Sequence, residues 1–333
     1  MHKHLLDYLA CPICHGELDW SIHSDNETRI LEAEAKCMQC GELFPVKEGI
    51  AIFLTDKLAR NDTWAEIESG LTKYLRQNPE LYQQLMESPL QSINAADQFF
   101  RAMILEERGN FIEAQTISQK ARQAMYHPEY LQIQEAQRNY LVEQVKATQE
   151  LIVDIASGRG FLVEAMLKAG HQQIVATDFS PTVLRRNRAY YEHLGLYDGL
   201  SLIACDARML PFKEHSIPNL SSFVGLGNIE QADSVLKELA RVVSGKFWSI
   251  SEFYPDNSDD NAQMIYEHGL DASMFEARIL ENFARNNWQA EIENRQTVHI
   301  EPTPVSEILG LGIDGLPIKA TEIVSCVIVA KGA

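Results

Sequence analysis

The chain has 333 residues, of which 45% are hydrophobic and 23% are charged, a balance that is ordinary for a globular protein of two or three domains. Its 47 acidic residues outnumber its 29 lysines and arginines, and the net charge of −18 disfavours nucleic acid as a partner. Because we find neither a membrane-spanning apolar stretch nor a signal-peptide core, we expect a cytoplasmic protein that does not bind membranes.

Three segments differ in composition and pattern. Residues 1–58 are rich in turns and contain four of the six cysteines, whereas residues 59–148 are polar and follow a helical pattern. In residues 149–333, apolar strand-like runs alternate with helical patterns. This alternation is typical of an α/β fold with a mainly parallel sheet.

Two C-x-x-C pairs in the first segment predict a metal site. Cys11 and Cys14 form the first pair, and Cys37 and Cys40 form the second. Four thiolates brought together by two tight turns suit a tetrahedral Zn²⁺ ion and leave no coordination position for a substrate. The sequence therefore predicts a structural zinc ribbon, because a core this small needs a metal to fold.

The sequence around these cysteines is similar to a known family. Residues 5–14 and 44–54 resemble the zinc-ribbon activator subunit of eukaryotic and archaeal methyltransferases and its small bacterial relatives. The resemblance covers residues 1 to about 56. It implies that the ribbon covers apolar surface of a methyltransferase, and because an α/β segment follows in the same chain, we infer that the two pack in cis.

The middle segment has apolar residues at helical spacing. They fall on four faces: Trp64, Ile67, Leu71 and Tyr74/Leu75; Leu81/Tyr82 and Leu85/Met86; Phe99/Phe100 and Met103/Ile104; and Tyr130, Ile133 and Tyr140/Leu141. Breaks between helices are predicted at Pro79, Gly109 and Pro128. We interpret the aromatic stripes as core.

In the last segment, six apolar runs predict strands, and acidic residues follow the first three. The predicted strands are residues 151–153, 174–177, 200–205, 220–224, 246–253 and 322–330. Asp154, Asp178 and Asp206 stand at the tips of the first three. A glycine-rich turn follows the first strand and precedes a helix over residues 161–167, an arrangement that brings backbone N–H groups to a ligand.

This pattern resembles the class I S-adenosylmethionine-dependent methyltransferases, whose first motif is Asp/Glu-x-Gly-x-Gly-x-Gly. Asp154, Ala156, Gly158 and Gly160 occupy the motif positions, and Ala156 replaces the first glycine, which is tolerable if its φ is negative. The nicotinamide fingerprint fits less well, because Val163 stands where its third small residue belongs. The resemblance implies a Rossmann-like sheet of six parallel strands and one antiparallel strand, with the helical segment covering the site.

The resemblance also implies roles in binding S-adenosylmethionine. Asp178 would hold the ribose, and Phe179 would lie beside the adenine. Asp206 would accept a hydrogen bond from the adenine amino group, and the N–H of Ala207 would donate one to a ring nitrogen of the adenine. The remaining positions concern the methionine moiety: Gly158 and Gly160 lie against it, Asp154 supports the turn and the amino group, Ala156 completes the turn, and Asn228 lies near the sulfonium.

The methyl acceptor is less well specified. No clear general base emerges, and the weak catalytic candidates are Asn228, Glu230, Glu252, Tyr254 and His268. The Asn/Asp-Pro-Pro-Tyr motif of methyltransferases acting on base or glutamine amino groups is replaced by residues 225–228, Gly-Leu-Gly-Asn. We therefore expect a small-molecule O, N or C acceptor, with residues 298–320 as a mobile lid or a plain loop.

Two other functions are also compatible with the sequence. One is an rRNA or tRNA methyltransferase that uses its zinc ribbon for RNA, with Arg185, Arg186 and Arg188 as a local basic patch or simply a solvated helix face. The other is a non-catalytic scaffold that binds the cofactor or a protein partner.

Overall fold

The computed structural model describes residues 1–56, 71–146 and 148–332. The predicted boundary at residue 58 and the predicted helical positions Trp64 and Ile67 lie outside these residues. Within them, no helix is long and apolar enough to cross a membrane.

The N-terminal segment is a small antiparallel sheet preceded by a 3₁₀ helix at Lys3–Asp7. Its strands are β1 (Leu18–Asp25), β2 (Ile30–Cys37), β3 (Leu43–Lys47) and β4 (Ile50–Ile52). Each strand pairs with the next along the chain, and the two C-x-x-C turns lie at one end. Leu5, Ile30 and Phe44 are buried, although much of β1 is exposed.

Seven further strands form the sheet of the C-terminal domain. They are β5 (Ile152–Asp154), β6 (Ile174–Asp178), β7 (Leu200–Ala204), β8 (Ile217–Phe223), β9 (Val243–Phe253), β10 (Trp288–Ile300) and β11 (Thr321–Gly332). Their order is β7-β6-β5-β8-β9-β11-β10, and only β11 runs antiparallel to the others. The prediction of six parallel strands and one antiparallel strand is confirmed, although the position of β10 was not predicted.

Six helices pack on the two faces of this sheet or follow its strands. They are α5 (Phe161–Lys168), α6 (Pro181–His193), α7 (Ala232–Val242), α8 (Asp260–Glu267), α9 (Asp271–Met274) and α10 (Glu276–Arg285). The Ser180 hydroxyl caps α6 by accepting a hydrogen bond from the Val183 N–H, and Pro181 follows at the first helical position. Such short turns bring helix N-termini to the carboxyl edge of the sheet.

The N-terminal strands join this sheet, so the described residues form one continuous sheet of eleven strands. Strand β4 pairs in parallel with β7, with Ile50 opposite Leu202 and Ile52 opposite Ala204. The Phe53 N–H extends the pairing to the carbonyl of Ala204 at 2.7 Å. Buried side chains of both parts also share one hydrophobic cluster. The ribbon therefore packs on the C-terminal domain in cis, and the sheet is larger than the seven strands predicted.

A buried arginine strengthens this junction. Arg29, which is 7% exposed, lies over the ring of Tyr197 and donates hydrogen bonds to the carbonyls of Tyr197, Asp198 and Leu200 at 2.6, 3.2 and 2.9 Å. These carbonyls lie just before and at the start of β7. Arg29, which directly precedes β2, thus connects the ribbon by hydrogen bonds to the start of β7, the strand that pairs with β4.

We expect Arg29→Ala to lower the free energy of unfolding by about 2–4 kcal/mol, because it removes charge-assisted hydrogen bonds from buried carbonyls. Arg185→Ala is the control, since its exposed side chain lies 3.8 Å from Glu48 and should contribute less than about 1 kcal/mol. Urea denaturation of both variants checks this, and equal losses would contradict a special role for Arg29.

The predicted basic patch on α6 faces the ribbon. Arg185 and Arg188 both approach the carboxylate of Glu48, and Arg188 also pairs with Glu192. The Arg188 guanidinium donates a further hydrogen bond to the carbonyl of Glu48 at 2.5 Å. Two of the three arginines are therefore partly neutralised by acidic neighbours and contribute to the junction.

The middle segment is helical over residues 71–77 and in four further helices. These are α1 (Pro79–Glu87), α2 (Ala95–Glu107), α3 (Phe111–Met125) and α4 (Pro128–Lys146). The breaks fall where Pro79, Gly109 and Pro128 predicted them. Helix α4 lies against β10 and β11, where the Gln137 amide donates to the carbonyls of Asn294 and Ser325. This contact places the corner between α3 and α4 over the carboxyl edge of the sheet.

Candidate functional site

A cavity of about 980 Å³ lies at this edge. Its walls are the tips of β5 to β9, the α3–α4 corner and the loop between β10 and β11. This volume is at the upper end of the roughly 300–1,000 Å³ found for small-molecule sites. We distinguish a glycine-loop end, formed by residues 156–159 with Asp178 and Asp206, from an aromatic end, formed by Tyr126, Tyr130, Tyr254, Glu252 and Asp314.

The turn after β5 forms the floor of the glycine-loop end. Ala156 has φ +53°, so the expectation of a negative φ is wrong. The left-handed conformation costs alanine about 1–2 kcal/mol, and the turn retains it because the Ser157 N–H binds the carbonyl of Thr177. Gly160, at φ +77°, does not line the cavity; a Cβ there would lie 2.2 Å from the hydroxyl of Tyr191.

Asp154 lies beneath the turn and is not among the residues that line the cavity. Its carboxylate accepts a hydrogen bond from the Ser221 hydroxyl at 2.7 Å, and its carbonyl accepts one from Thr177. Burial raises the pKa of Asp154 to about 7, and the nearby carboxylate of Asp178 adds to this shift. Asp154 thus supports the turn as predicted. Because its side chain does not reach the cavity, it is not placed for the predicted contact with the amino group of a ligand.

Asp178 faces the cavity and organises the same turn from the tip of β6. One carboxylate oxygen accepts a hydrogen bond from the Gly158 N–H at 3.0 Å, and the other accepts one from the Ser180 N–H at 3.0 Å. Each oxygen of a carboxylate can accept more than one hydrogen bond, so this geometry permits a neighbouring diol to bind. Phe179, directly after it, also lines the cavity.

Asp206 follows β7 and lines the same end with Ala207. Its carboxylate is held by Arg208, whose Nε and Nη2 donate to its two oxygens at 2.9 and 2.7 Å. The backbone N–H of Arg208 donates to it as well. The prediction that acids at three successive strand tips meet at one crevice therefore holds for Asp178 and Asp206, with Asp154 behind them.

Glu252 is the best placed of the weak catalytic candidates. It lies near the end of β9, and accepts a hydrogen bond from the Tyr130 hydroxyl at 3.1 Å, while the Gln134 amide is 3.5 Å from its other oxygen. Burial raises the pKa of Glu252 to about 7. Because the β8 and β9 tips are neighbours, Glu252 stands one strand away from residues 225–228.

The other weak candidates line the same cavity with less specific contacts. Tyr254 is buried at the aromatic end, whereas His268 is exposed and caps α8. The Asn228 amide donates to the carbonyl of Val224 at 3.0 Å, which fixes the turn after β8. Glu230 follows that turn and also borders the cavity.

Several residues of the aromatic end were missed by the sequence analysis. The Tyr126 hydroxyl donates to Asp314 at 2.8 Å, and the Gln134 amide donates to the Tyr130 hydroxyl at 2.6 Å. Tyr130 was assigned to the core, although Tyr126 and Tyr130 straddle the Pro128 break at helical spacing and their rings lie 5.6 Å apart. Arg122, one turn before Tyr126, lines the cavity as well.

The loop of residues 301–320 closes one side of the cavity. The buried Asp97 accepts hydrogen bonds from the Ser306 hydroxyl and the Ile308 N–H, and Asn261 accepts them from the N–H groups of Ile318 and Lys319. Between these anchors, residues 312–317 line the cavity. The loop is thus fixed at both ends and contributes Asp314 from its middle.

The four cysteines of the ribbon meet as predicted. Their sulfur atoms all lie within 4.8 Å of one another, with 3.6 Å between Cys11 and Cys40 and 3.4 Å between Cys14 and Cys37. A zinc ion bonded to four sulfurs at about 2.3 Å sets them about 3.8 Å apart, which these separations approach. Backbone N–H groups of Ile13 and Cys40 also point at sulfur. The cluster therefore has the composition and dimensions of a structural metal centre.

Two known family models match separate parts of the chain. A model described as "Methyltransferase domain" matches residues 152–245, and one described as "Trm112p-like protein" matches residues 2–49. Residues 152–245 are thus similar to a methyltransferase domain, and the ribbon before them is similar to a Trm112p-like protein. The methyltransferase match covers β5 to the start of β9 and includes the glycine turn, Asp178 and Asp206.

The curated relatives match less than a third of this chain. A ubiquinone/menaquinone biosynthesis C-methyltransferase of Acidiphilium cryptum is 30% identical over 30% of this chain and 41% of its own length. A demethylmenaquinone methyltransferase of Thermobifida fusca is 33% identical over 28% of this chain and 39% of its own. The chain thus spans about two fifths of the length of these curated relatives.

Solved structures show partial similarity. The YcgJ protein of Bacillus subtilis has a TM-score of 0.48 at 13% identity and covers 60% of this chain and 99% of its own. A chain from a complex of the Haloferax volcanii Trm112 methyltransferase activator has a TM-score of 0.40 at 19% identity, covering 60% and 92%. The strand order β7-β6-β5-β8-β9-β11-β10 defines the fold of the C-terminal domain.

Proposed function

We propose that the protein transfers a methyl group from S-adenosylmethionine to a small-molecule acceptor. The observation that carries this proposal is that one cavity joins the glycine-loop end of a methyltransferase domain to an aromatic end with its own carboxyl groups. The first end suits the nucleoside of the donor, and the second offers space and polar groups to another molecule.

The residues of the glycine-loop end fit the cofactor. The Asp178 carboxylate stands at the tip of β6 with further acceptor capacity for the ribose hydroxyls. Arg208 holds Asp206 in place to accept from the adenine amino group, and Phe179 offers an apolar wall. S-adenosylmethionine, when bound, supplies a methyl group already activated by its sulfonium.

The aromatic end favours a flat acceptor. Tyr126, Tyr130 and Tyr254 offer ring faces, and Glu252 stands among them as the group best placed to accept a proton from the acceptor. The relatives named for ubiquinone and menaquinone biosynthesis make aromatic rings with hydroxyl groups the first acceptors to test. The ribbon's four cysteines would hold a structural Zn²⁺ ion outside this chemistry.

Calorimetry with S-adenosylhomocysteine tests the donor assignment. We expect the wild-type protein to bind it and Asp178→Ala to bind about 100-fold more weakly, because charge-assisted hydrogen bonds to the ribose are lost. Asp256→Ala is the control, since this exposed aspartate pairs with Arg278 on the surface.

Thermal unfolding would verify that both variants are folded. If Asp178→Ala bound S-adenosylhomocysteine with unchanged affinity, Asp178 would not be part of the donor site. A wild-type protein that binds no S-adenosylhomocysteine would contradict the proposed function. Transfer of labelled methyl groups to a panel of phenols and hydroquinones would then identify the acceptor class.

A further inference from the structure

Arg122 presents a cation to the cavity. It lies near the end of α3 and lines the cavity, with its guanidinium 4.7 Å from the centre of the Phe161 ring and 6.0 Å from that of Tyr126. Its Nη2 donates to the Gln134 amide oxygen at 3.2 Å. These contacts fix the plane of the guanidinium between the glycine-loop end and the aromatic end.

Arg122 differs from the other arginines of the cavity wall in its partners. Arg159 forms an ion pair with Glu106, and Arg208 forms one with Asp206. In the described part of the chain, no carboxylate lies within 4.0 Å of the Arg122 guanidinium, and Asp314 acts on it only from a greater distance. A half-buried cation without an ion pair is costly to a fold, so such a group suits an incoming anion.

The position of Phe161 indicates which part of a bound S-adenosylmethionine would lie near Arg122. Asp206, Asp178 and the glycine turn follow β7, β6 and β5, which are consecutive neighbours in the sheet. At about 4.8 Å a strand, this row spans about 10 Å. Phe161 comes directly after the turn, at the first position of α5. A donor whose nucleoside lies at Asp178 and Asp206 would therefore have its methionine moiety beside Phe161.

We propose that Arg122 binds the carboxylate of the methionine moiety of S-adenosylmethionine, an inference that rests on the proposed function. The planar guanidinium can donate two parallel hydrogen bonds to a carboxylate, a fork that lysine cannot reproduce. The α3–α4 corner thereby becomes part of the donor site, and Gln134 links it to Glu252 at the aromatic end.

Two ligands that differ only in the carboxylate measure the contribution of the proposed Arg122 contact to binding, and the methyl acceptor need not be known. S-adenosylhomocysteine carries the carboxylate, and its decarboxylated analogue keeps the amine and loses only that group. We expect the wild-type protein to prefer S-adenosylhomocysteine by about 10- to 100-fold in calorimetry. Arg122→Gln should bind the two ligands about equally, with its affinity for the analogue unchanged, and Arg122→Lys should retain part of the preference.

Arg138→Gln is the matched control, because Arg138 stacks on the same Phe161 ring at 5.9 Å and is not among the residues lining the cavity. It should keep the wild-type preference. If wild-type protein bound both ligands equally, or if Arg122→Gln kept the full preference, the inference would be wrong while the proposed function stood. If Arg122→Gln does not fold, Arg122→Lys decides. A reduced preference for S-adenosylhomocysteine in Arg122→Lys supports the inference, and a full preference overturns it.

Discussion

Glu252→Gln is expected to lower kcat/KM for methyl transfer by about 100- to 10,000-fold, the range typical of losing a general base. In the proposed reaction, a hydroxyl proton of the acceptor passes to a Glu252 carboxylate oxygen. S-adenosylmethionine, when bound, would supply the methyl group to the electron pair left on the acceptor, and its sulfur would keep the electron pair of the carbon–sulfur bond. Tyr130 and Gln134 hold Glu252 in place for this transfer.

The pH profile gives this prediction a second readout. Because burial raises the pKa of Glu252 to about 7, its carboxyl stays neutral and unable to accept a proton well into the range where exposed glutamates are ionised. In the wild-type protein, kcat/KM should rise with pH through about 7 and then level off. The residual activity of Glu252→Gln should lack this rise.

A matched control is available outside the cavity. Glu293 also accepts a hydrogen bond from a tyrosine hydroxyl, that of Tyr140 at 2.6 Å, but it belongs to β10 and is not part of the cavity wall. Glu293→Gln should keep the wild-type rate and pH profile. A Glu252→Gln protein with near-normal activity, or with the same rise near pH 7, would rule out Glu252 as the base.

Removal of zinc is expected to unfold the ribbon. Structural zinc sites contribute about 10–16 kcal/mol in small peptides, which is as large as the whole stability of a typical domain. We expect one zinc ion per chain of purified protein, and its loss in Cys37→Ser or after chelation. The far-ultraviolet circular dichroism of β1 to β4 should be lost, and the unfolding transition should move to lower urea concentration.

Cys326→Ala controls for the loss of a buried thiol, because Cys326 lies in β11 and takes no part in the cysteine cluster. This variant should retain zinc and lose about 1–2 kcal/mol of stability. Purified wild-type protein free of zinc, or a Cys37→Ser variant as stable as the wild type, would contradict the structural role of the metal.

The features that could be predicted from the sequence depend on residues close together in the chain. The two C-x-x-C turns, the helix start at Pro128 and the carboxylates of Asp178 and Asp206 each follow from a few neighbouring residues. Strand tips of a parallel sheet meet at one edge, so the pattern of acids after strands also located the cavity. The number of parallel and antiparallel strands followed from the family that this pattern resembles.

The features that could not be predicted depend on distant parts of the chain. Ala156 adopts a positive φ because the turn is held by a hydrogen bond to Thr177 in the neighbouring strand β6, whereas local preference alone favours a negative φ. Arg122 and Asp314 reach the cavity from an α-helix and a long loop, whose amphipathic or turn-like patterns carry no sign of a ligand. Only three of the thirteen residues of β10 are buried, which weakens the apolar signal of a strand.

The pairing of β4 with β7 has a consequence for biosynthesis. Ile50 leaves the ribosome long before its partner Leu202, by roughly 10–30 seconds at usual rates of translation. During that delay, a ribbon that has already taken up its metal exposes an unpaired β-edge, which is a hazard for association between nascent chains. Pairing of Ile50 with Leu202 closes a long loop of the chain and gives the sheet a high contact order. We therefore expect β4 and β7 to be among the last strands to pair when the denatured protein refolds.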